Sequence, residues 1–156
     1  MNTYNEALKK MDELFGRDYQ FALATCSEGK PSLRFVDAYY KDGQFWVVTY
    51  RNSRKVRDIA ANPHVELCYG VFSFSGLAYD MGHPLKDDNA EIRSELIKVF
   101  EPWYFAHNDE NDKNMCYVRI KPEIGFFYKN GKGYKVDFLQ KTASTFPFED
   151  EIKYIN

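Results

Sequence analysis

Long apolar runs are missing from this chain of 156 residues. No segment approaches the roughly 20 apolar residues that a transmembrane helix needs, so no membrane partner is expected. Cysteine is scarce. Cys26, Cys68 and Cys116 are far apart and odd in number, and each lies in an apolar, strand-like run. That pattern argues against a disulfide framework and for buried, reduced thiols in a cytoplasmic protein. Histidine is equally sparse. His64, His83 and His107 are scattered without metal-ligand spacing, so no metal is expected. The net charge is only −2, which gives no electrostatic case for nucleic acid as a partner. There is no Gly-x-Ser-x-Gly elbow, which sets aside one large hydrolase class. A dinucleotide-binding sheet would need a Gly-rich turn after its first strand. Gly131-Lys132-Gly133 is the one Gly-x-Gly, and it reads as a hairpin turn. Repeats, low-complexity tracts and Pro- or Ser-rich linkers are absent too, so residues 1–156 are expected to form one domain.

What is abundant is aromatic side chains, 17% of the chain. They favour strands and suit a large apolar interface or stacking on a ligand. The opening MNTYNEALKKMDELFG is charged and amphipathic, unlike a secretory signal, and predicts a helix over 3–15 ended by Gly16. Strands are predicted over 19–27, 32–40 and 45–50, the last two joined at an Asp-Gly turn. Two more follow over 65–71 and 72–79, and three close the chain over 115–121, 124–129 and 133–139. A second amphipathic helix is expected over 88–100, with Asp87-Asp88 at its cap, and 106–114 reads as a polar loop. The tail over 141–156 has no clear period. Strands arriving in hairpins give a mainly β fold, an antiparallel sheet closed into a barrel with peripheral helices.

The segment TYRNSRKVRDIAANP, residues 49–63, says most about function. Ser53 stands at the N-cap position, Val56, Ile59 and Ala60 recur at helical spacing, and Asn62-Pro63 ends the helix. Arg54 and Lys55 occupy the first turn, just after Arg51. Cations are unfavourable there, because a helix N-terminus already carries partial positive charge. A bound anion such as phosphate would explain them; a solvated basic patch is the alternative. Arg34 raises a similar question from inside the apolar strand Ser32-Leu33-Arg34-Phe35-Val36-Asp37-Ala38. Asp37, three residues on, points to the opposite face of a strand and cannot serve Arg34. Either an outside anion pairs with Arg34, or Arg34 lies on the exposed face. Convergence of Arg34, Arg54 and Lys55 would make a pocket for a dianionic phosphate.

The residues Arg34-Phe35-Val36, Val48-Thr49, Ser53-Arg54-Lys55, Asn62-Pro63, Val65-Glu66-Leu67 and Phe74-Ser75-Gly76-Leu77-Ala78 occur in this order with this spacing. In them the chain resembles the pyridoxamine 5'-phosphate oxidase-related, FMN-binding split β-barrel proteins. The resemblance covers about residues 20–80 and returns faintly in the last three strands. It implies a homodimer with two FMN molecules at the subunit interface. Arg34, Arg54 and Lys55 would hold the phosphate, with help from Ser53. Backbone groups of Phe35 and Val36 would line the isoalloxazine ring, and Val48 and Thr49 would touch the ring or the ribityl chain. Trp103 or Tyr104, beyond the second helix, would lie against the flavin or the substrate space; packing under the polar loop or in the dimer interface is the alternative. The chain departs from the oxidase itself. Tyr39 replaces a basic residue, Val71 stands where a glutamine is found, and the last strand lacks the basic motif that grips the substrate's phosphate. Pyridoxamine phosphate oxidation is therefore not expected, and the short general-stress or flavin-nucleotide-binding members are the better match. The implied activity is an FMN-dependent oxidoreductase that passes electrons from reduced nicotinamide to a small acceptor. A non-catalytic flavin carrier or sensor, and haem, another flavin or F420 on the same fold, remain open.

Overall fold

A computed structural model describes residues 1–149. Helix α1 (Thr3–Phe15) is capped by Asn2, whose side chain accepts from the Asn5 N–H, and it buries Ala7, Met11 and Phe15. The strands β1 (Tyr19–Ser27), β2 (Lys30–Lys41) and β3 (Gln44–Tyr50) form a meander. Helix α2 (Arg54–Ala61) leads into the hairpin of β4 (His64–Tyr69) and β5 (Phe72–Asp80). A short 3-10 turn (Asp87–Asn89), α3 (Ala90–Val99) and α4 (Tyr104–His107) follow. The chain then runs through β6 (Met115–Lys129), β7 (Lys132–Asp137) and β8 (Thr142–Pro147).

Every strand pairing is antiparallel, and the order is β3-β2-β1-β4-β5-β6-β7-β8. The pairing of β3 with β6, from Phe45↔Ile120 to Tyr50↔Met115, closes six of these strands into a barrel. Strands β7 and β8 extend the sheet beyond the closure. The expected antiparallel split β-barrel with peripheral helices is therefore present.

Alternation fills the interior. On β3, Phe45, Val47 and Thr49 are buried while their neighbours are half-exposed; on β2 the buried set is Val36, Ala38 and Tyr40. Phe15 reaches from the end of α1 into this interior. Its ring meets those of Tyr19, Phe21, Phe45, Phe72, Phe74 and Phe127 at centroid distances of 4.8–6.2 Å, the range of favourable edge and tilted contacts. A second apolar cluster lies outside the barrel. There Ile92, Leu96, Phe100 and Tyr104 pack with Met115 and Tyr117, beside Trp46, Val48 and Trp103.

Several boundaries differ from the sequence reading. The two strands expected over 115–121 and 124–129 are one strand, β6. Pro122 pairs with Gly76 at a register shift between Ser75 and Gly76, so the proline sits at a bulge and does not end the strand. Strand β7 stops at Asp137, whose carboxylate accepts from the N–H groups of Leu139 and Gln140 and so turns the chain. The tail supplies β8, an edge strand with mixed burial and hence no readable period; residues 150–156 lie outside the described residues. Asp87 and Asp88 sit in the 3-10 turn and do not cap α3; Asn89 holds that position and donates to the carbonyls of Met81 and His83. Helix α4 takes in Ala106 and His107 from the start of the expected polar loop. Only Cys116 is a buried thiol; Cys26 is half-buried and Cys68 exposed, and all three are free.

Phe15→Ala should cost about 3–5 kcal/mol, the range for emptying a large aromatic site that cannot collapse. Urea unfolding followed by tryptophan fluorescence would measure it. A loss under about 1 kcal/mol would show that α1 does not anchor the barrel.

Candidate functional site

Helix α2 begins without the groups that normally complete a helix start. Ser53 has the extended backbone of an N-cap, but its Oγ donates to the Tyr50 carbonyl at 2.6 Å and makes no cap bond. No acidic residue lies in the first turn. Free N–H groups and two cationic side chains therefore share one place. The half-turn that delivers them is tied by the Ser53 N–H bond to the Tyr50 carbonyl and by the Arg51 N–H bond to the Asn114 carbonyl.

Lys55 is drawn inward. Its Nζ donates to Thr49 Oγ1 at 3.1 Å, and Thr49 is buried in the barrel wall. Burial lowers the Lys55 pKa, and the Arg34 guanidinium beside it lowers it further. Arg34 reaches the same region from β2. Its Nη1 donates to Leu23 O at 3.2 Å and Thr25 Oγ1 at 2.8 Å, and its Nη2 donates to Ser32 Oγ at 2.7 Å. Burial lowers its pKa; the Asp58 carboxylate opposes that, and Arg54 adds to it. Asp58, on α2 and buried, lies 3.9 Å from Arg34 Nη2 and 3.7 Å from Arg54 Nε. The sequence reading found no internal partner for Arg34. Asp58 is that partner, brought from another element.

Next to this cluster is a cleft of about 420 Å³ lined by Phe35, Val36, Asp37, Val47, Val48, Lys55, Trp103, His107 and Asn108. Five of the residues singled out from sequence, Phe35, Val36, Val48, Lys55 and Trp103, meet in its wall. Thr49 lies behind the wall through its bond to Lys55. Arg34 and Arg54 are linked through Asp58, and Ser53 faces back to Tyr50; none of these three is in the lining. Tyr104 is elsewhere, buried with its hydroxyl against those of Tyr117 and the Glu110 carboxylate. Among the described residues, no group of three His, Cys, Asp or Glu side chains could hold a metal.

Sequence reasoning missed Asp37, Val47, His107 and Asn108 in the lining, and Asp58 behind it. Asp58 carried a signal: an Arg–Asp pair at i, i+4 on a helix. His107 and Asn108 carried none, because α3 and α4 bring them from a distant part of the chain. At the Trp103 end the cleft changes sign. The Trp103 indole N–H donates to Asp18 at 2.8 Å, and burial followed by repulsion from Asp18 raises Asp37 to about 6.

The cleft volume lies within the ordinary range for small-molecule and cofactor sites. Its aromatic and aliphatic wall suits a planar ring, and the cations at the α2 start suit a phosphate. The residues present therefore fit FMN.

The sequence model of the pyridoxamine 5'-phosphate oxidase family matches residues 7–127, and the chain belongs to that family. General stress protein 26 of Bacillus subtilis is 26% identical over 106 residues, 65% of this chain and 74% of that protein. A pyridoxamine 5'-phosphate oxidase-related, FMN binding protein from Nostoc punctiforme shares the fold, with a TM-score of 0.57 and 14% identity over 96% of this chain and 98% of that one. The haem storage protein HutZ of Vibrio cholerae does so at a TM-score of 0.59 and 14% identity, over 79% and 92% of the two chains. Among the described residues, no helix is long and apolar enough to cross a membrane.

Asp37 gives a pH signature. Its folded-state pKa of about 6 lies above its ordinary 3.8, so the folded state binds the proton more tightly than the unfolded chain. Its contribution to stability must therefore fall as pH rises between those two values. Thermal melts should show Asp37→Asn gaining on the parent protein from pH 4 to pH 7, with the difference smallest at pH 4. A difference independent of pH would mean that Asp37 keeps an ordinary pKa.

Proposed function

We propose that the protein binds FMN in this cleft and works as an oxidoreductase, taking electrons from reduced nicotinamide and passing them to a small acceptor. The observation that carries the reading is the meeting of Lys55, Arg34 and Arg54 at an uncapped helix start beside a cleft walled by Phe35, Val36, Val48 and Trp103. Bound there, FMN would supply the redox chemistry. The protein supplies binding and orientation. Lys55 and Arg54, with the free N–H groups of α2, take the phosphate, and Arg34 adds its charge from behind. Phe35, Val36 and Val48 offer the apolar wall for the ring, and Trp103 bounds the far side. Asp37 is the carboxyl group of the wall, and burial with repulsion from Asp18 raises it to about 6.

The same reading makes the protein a homodimer with its cofactor sites at the interface. Support comes from Leu33 and Phe35, which are 70% and 72% exposed on the outer face of β2 beside the cleft. Large apolar side chains so exposed next to a site are a usual mark of an interface. Light scattering at micromolar concentration should return twice the chain mass of 18.3 kDa. A monomer that binds FMN tightly would contradict the interface site. Three free cysteines support a cytoplasmic setting.

Arg54→Ala and Lys55→Ala should each weaken FMN by about 1.5–3 kcal/mol, or about ten- to a hundredfold, while riboflavin, which lacks the phosphate, is hardly affected. Flavin fluorescence titration reads both ligands. Equal losses for the two would show that the cluster does not hold the phosphate. Arg34→Ala is a poorer probe, because it also leaves the Asp58 carboxylate buried beside Arg54 alone. Steady oxidation of reduced nicotinamide by the FMN-loaded protein distinguishes an enzyme from a carrier. A Soret band on titration with haem, without FMN binding, would move the protein to the haem-binding class.

A further inference from the structure

Asp58 is an anion at the centre of a cation cluster. It is buried on α2, four residues after Arg54. Its Oδ2 accepts a 2.8 Å hydrogen bond from Thr25 Oγ1 and lies within 4 Å of both Arg54 and Arg34. The other partners of Arg34 are neutral: Leu23 O, Thr25 Oγ1 and Ser32 Oγ. Those three hydrogen bonds fix the guanidinium without help from a carboxylate. What Asp58 adds is therefore charge more than position. Three cations less one carboxylate leave +2, equal and opposite to a dianionic phosphate monoester.

We propose that Asp58 is a built-in counter-ion, which offsets part of the charge of the Arg34–Arg54 pair in the ligand-free protein and weakens the grip of the cluster on a phosphate monoester. The inference rests on the reading of this cluster as the phosphate site. A buried guanidinium without an opposite charge is costly, so a cluster of three cations alone would burden the empty protein. Asp58 relieves that burden. Once an anion is bound, the same carboxylate repels it and competes with it for Arg34 and Arg54. The phosphorylated ligand is then held reversibly and exchanges with solution.

Asp58→Asn tests this. Asparagine keeps the volume and an acceptor for Thr25 Oγ1 and removes only the charge. Both full-length proteins are titrated with FMN and riboflavin by flavin fluorescence, and with inorganic phosphate by thermal shift at fixed ionic strength. FMN and phosphate should bind the variant about tenfold tighter, equivalent to about 1.4 kcal/mol. Riboflavin affinity should not change. The ligand-free variant should melt below the parent protein, and the gap should narrow at saturating phosphate. Unchanged or weaker binding of both FMN and phosphate by the variant overturns the counter-ion role. If phosphate gains while FMN binds neither protein, the counter-ion stands and the flavin reading falls. If FMN binds both proteins equally well, the flavin reading stands and the counter-ion falls. Asp58→Ser, also uncharged, supplies the same comparison if the asparagine variant does not fold.

Discussion

Everything in this molecule hangs on the ladder between β3 and β6. These strands are far apart in sequence, and their pairing from Phe45↔Ile120 to Tyr50↔Met115 turns a meander into a closed barrel. Closure removes the free edge that β3 would otherwise present and leaves β8 as the edge strand. It also gives the interior its second wall, so that Phe15, Phe21, Phe45, Phe74 and Phe127 form one aromatic core under α1. Strand β6 can serve β3, β5 and β7 because it is 15 residues long and bends at the Pro122 bulge.

The same closure builds the cleft. It brings Met115 and Tyr117 to the outer face of β3, where they pack with the helices α3 and α4. Those helices then place Trp103, His107 and Asn108 opposite Phe35, Val36 and Val48. The cation cluster is made differently, by the docking of α2 on the barrel at β1. Asp58 and Thr25 join the two, and Arg34 is held between them. A cleft made by the barrel wall and a cluster made by a docked helix meet at Lys55, which belongs to both.

Charge is distributed with a purpose along this line. The α2 end carries three cations and one buried carboxylate; the Trp103 end carries the carboxyl groups of Asp18 and Asp37. Arg34 and Asp37 are only three residues apart on β2, about 10 Å along an extended strand. Their side chains leave opposite faces of the strand, and Asp37 but not Arg34 lines the cleft. Membership of the pyridoxamine 5'-phosphate oxidase family does not by itself specify this distribution of charge, because it depends on Asp37, Asp18 and Asp58 of this chain.

The sequence by itself determined the elements that carry short-range signals. Alternation in β1–β3 and the Asp-Gly turn, the helical spacing of Ala7, Met11 and Phe15, and basic residues at the start of α2 are all local, and each was legible. Lys55 was marked by its place at the helix start, and Phe35, Val36 and Val48 only by the family resemblance; all four line one cleft. Tertiary structure decided the rest. No local pattern says that Asp58 would neutralise Arg34 from another element, that Pro122 would sit in a bulge and leave β6 unbroken, or that the aperiodic tail would pair as β8. Nor does one place His107 and Asn108 beside Asp37. The physical reason is the same in each case. A partner charge on α2, a bulge opposite Gly76 and the pairing of β8 on β7 are each fixed by contacts between elements, which no pattern within one element encodes.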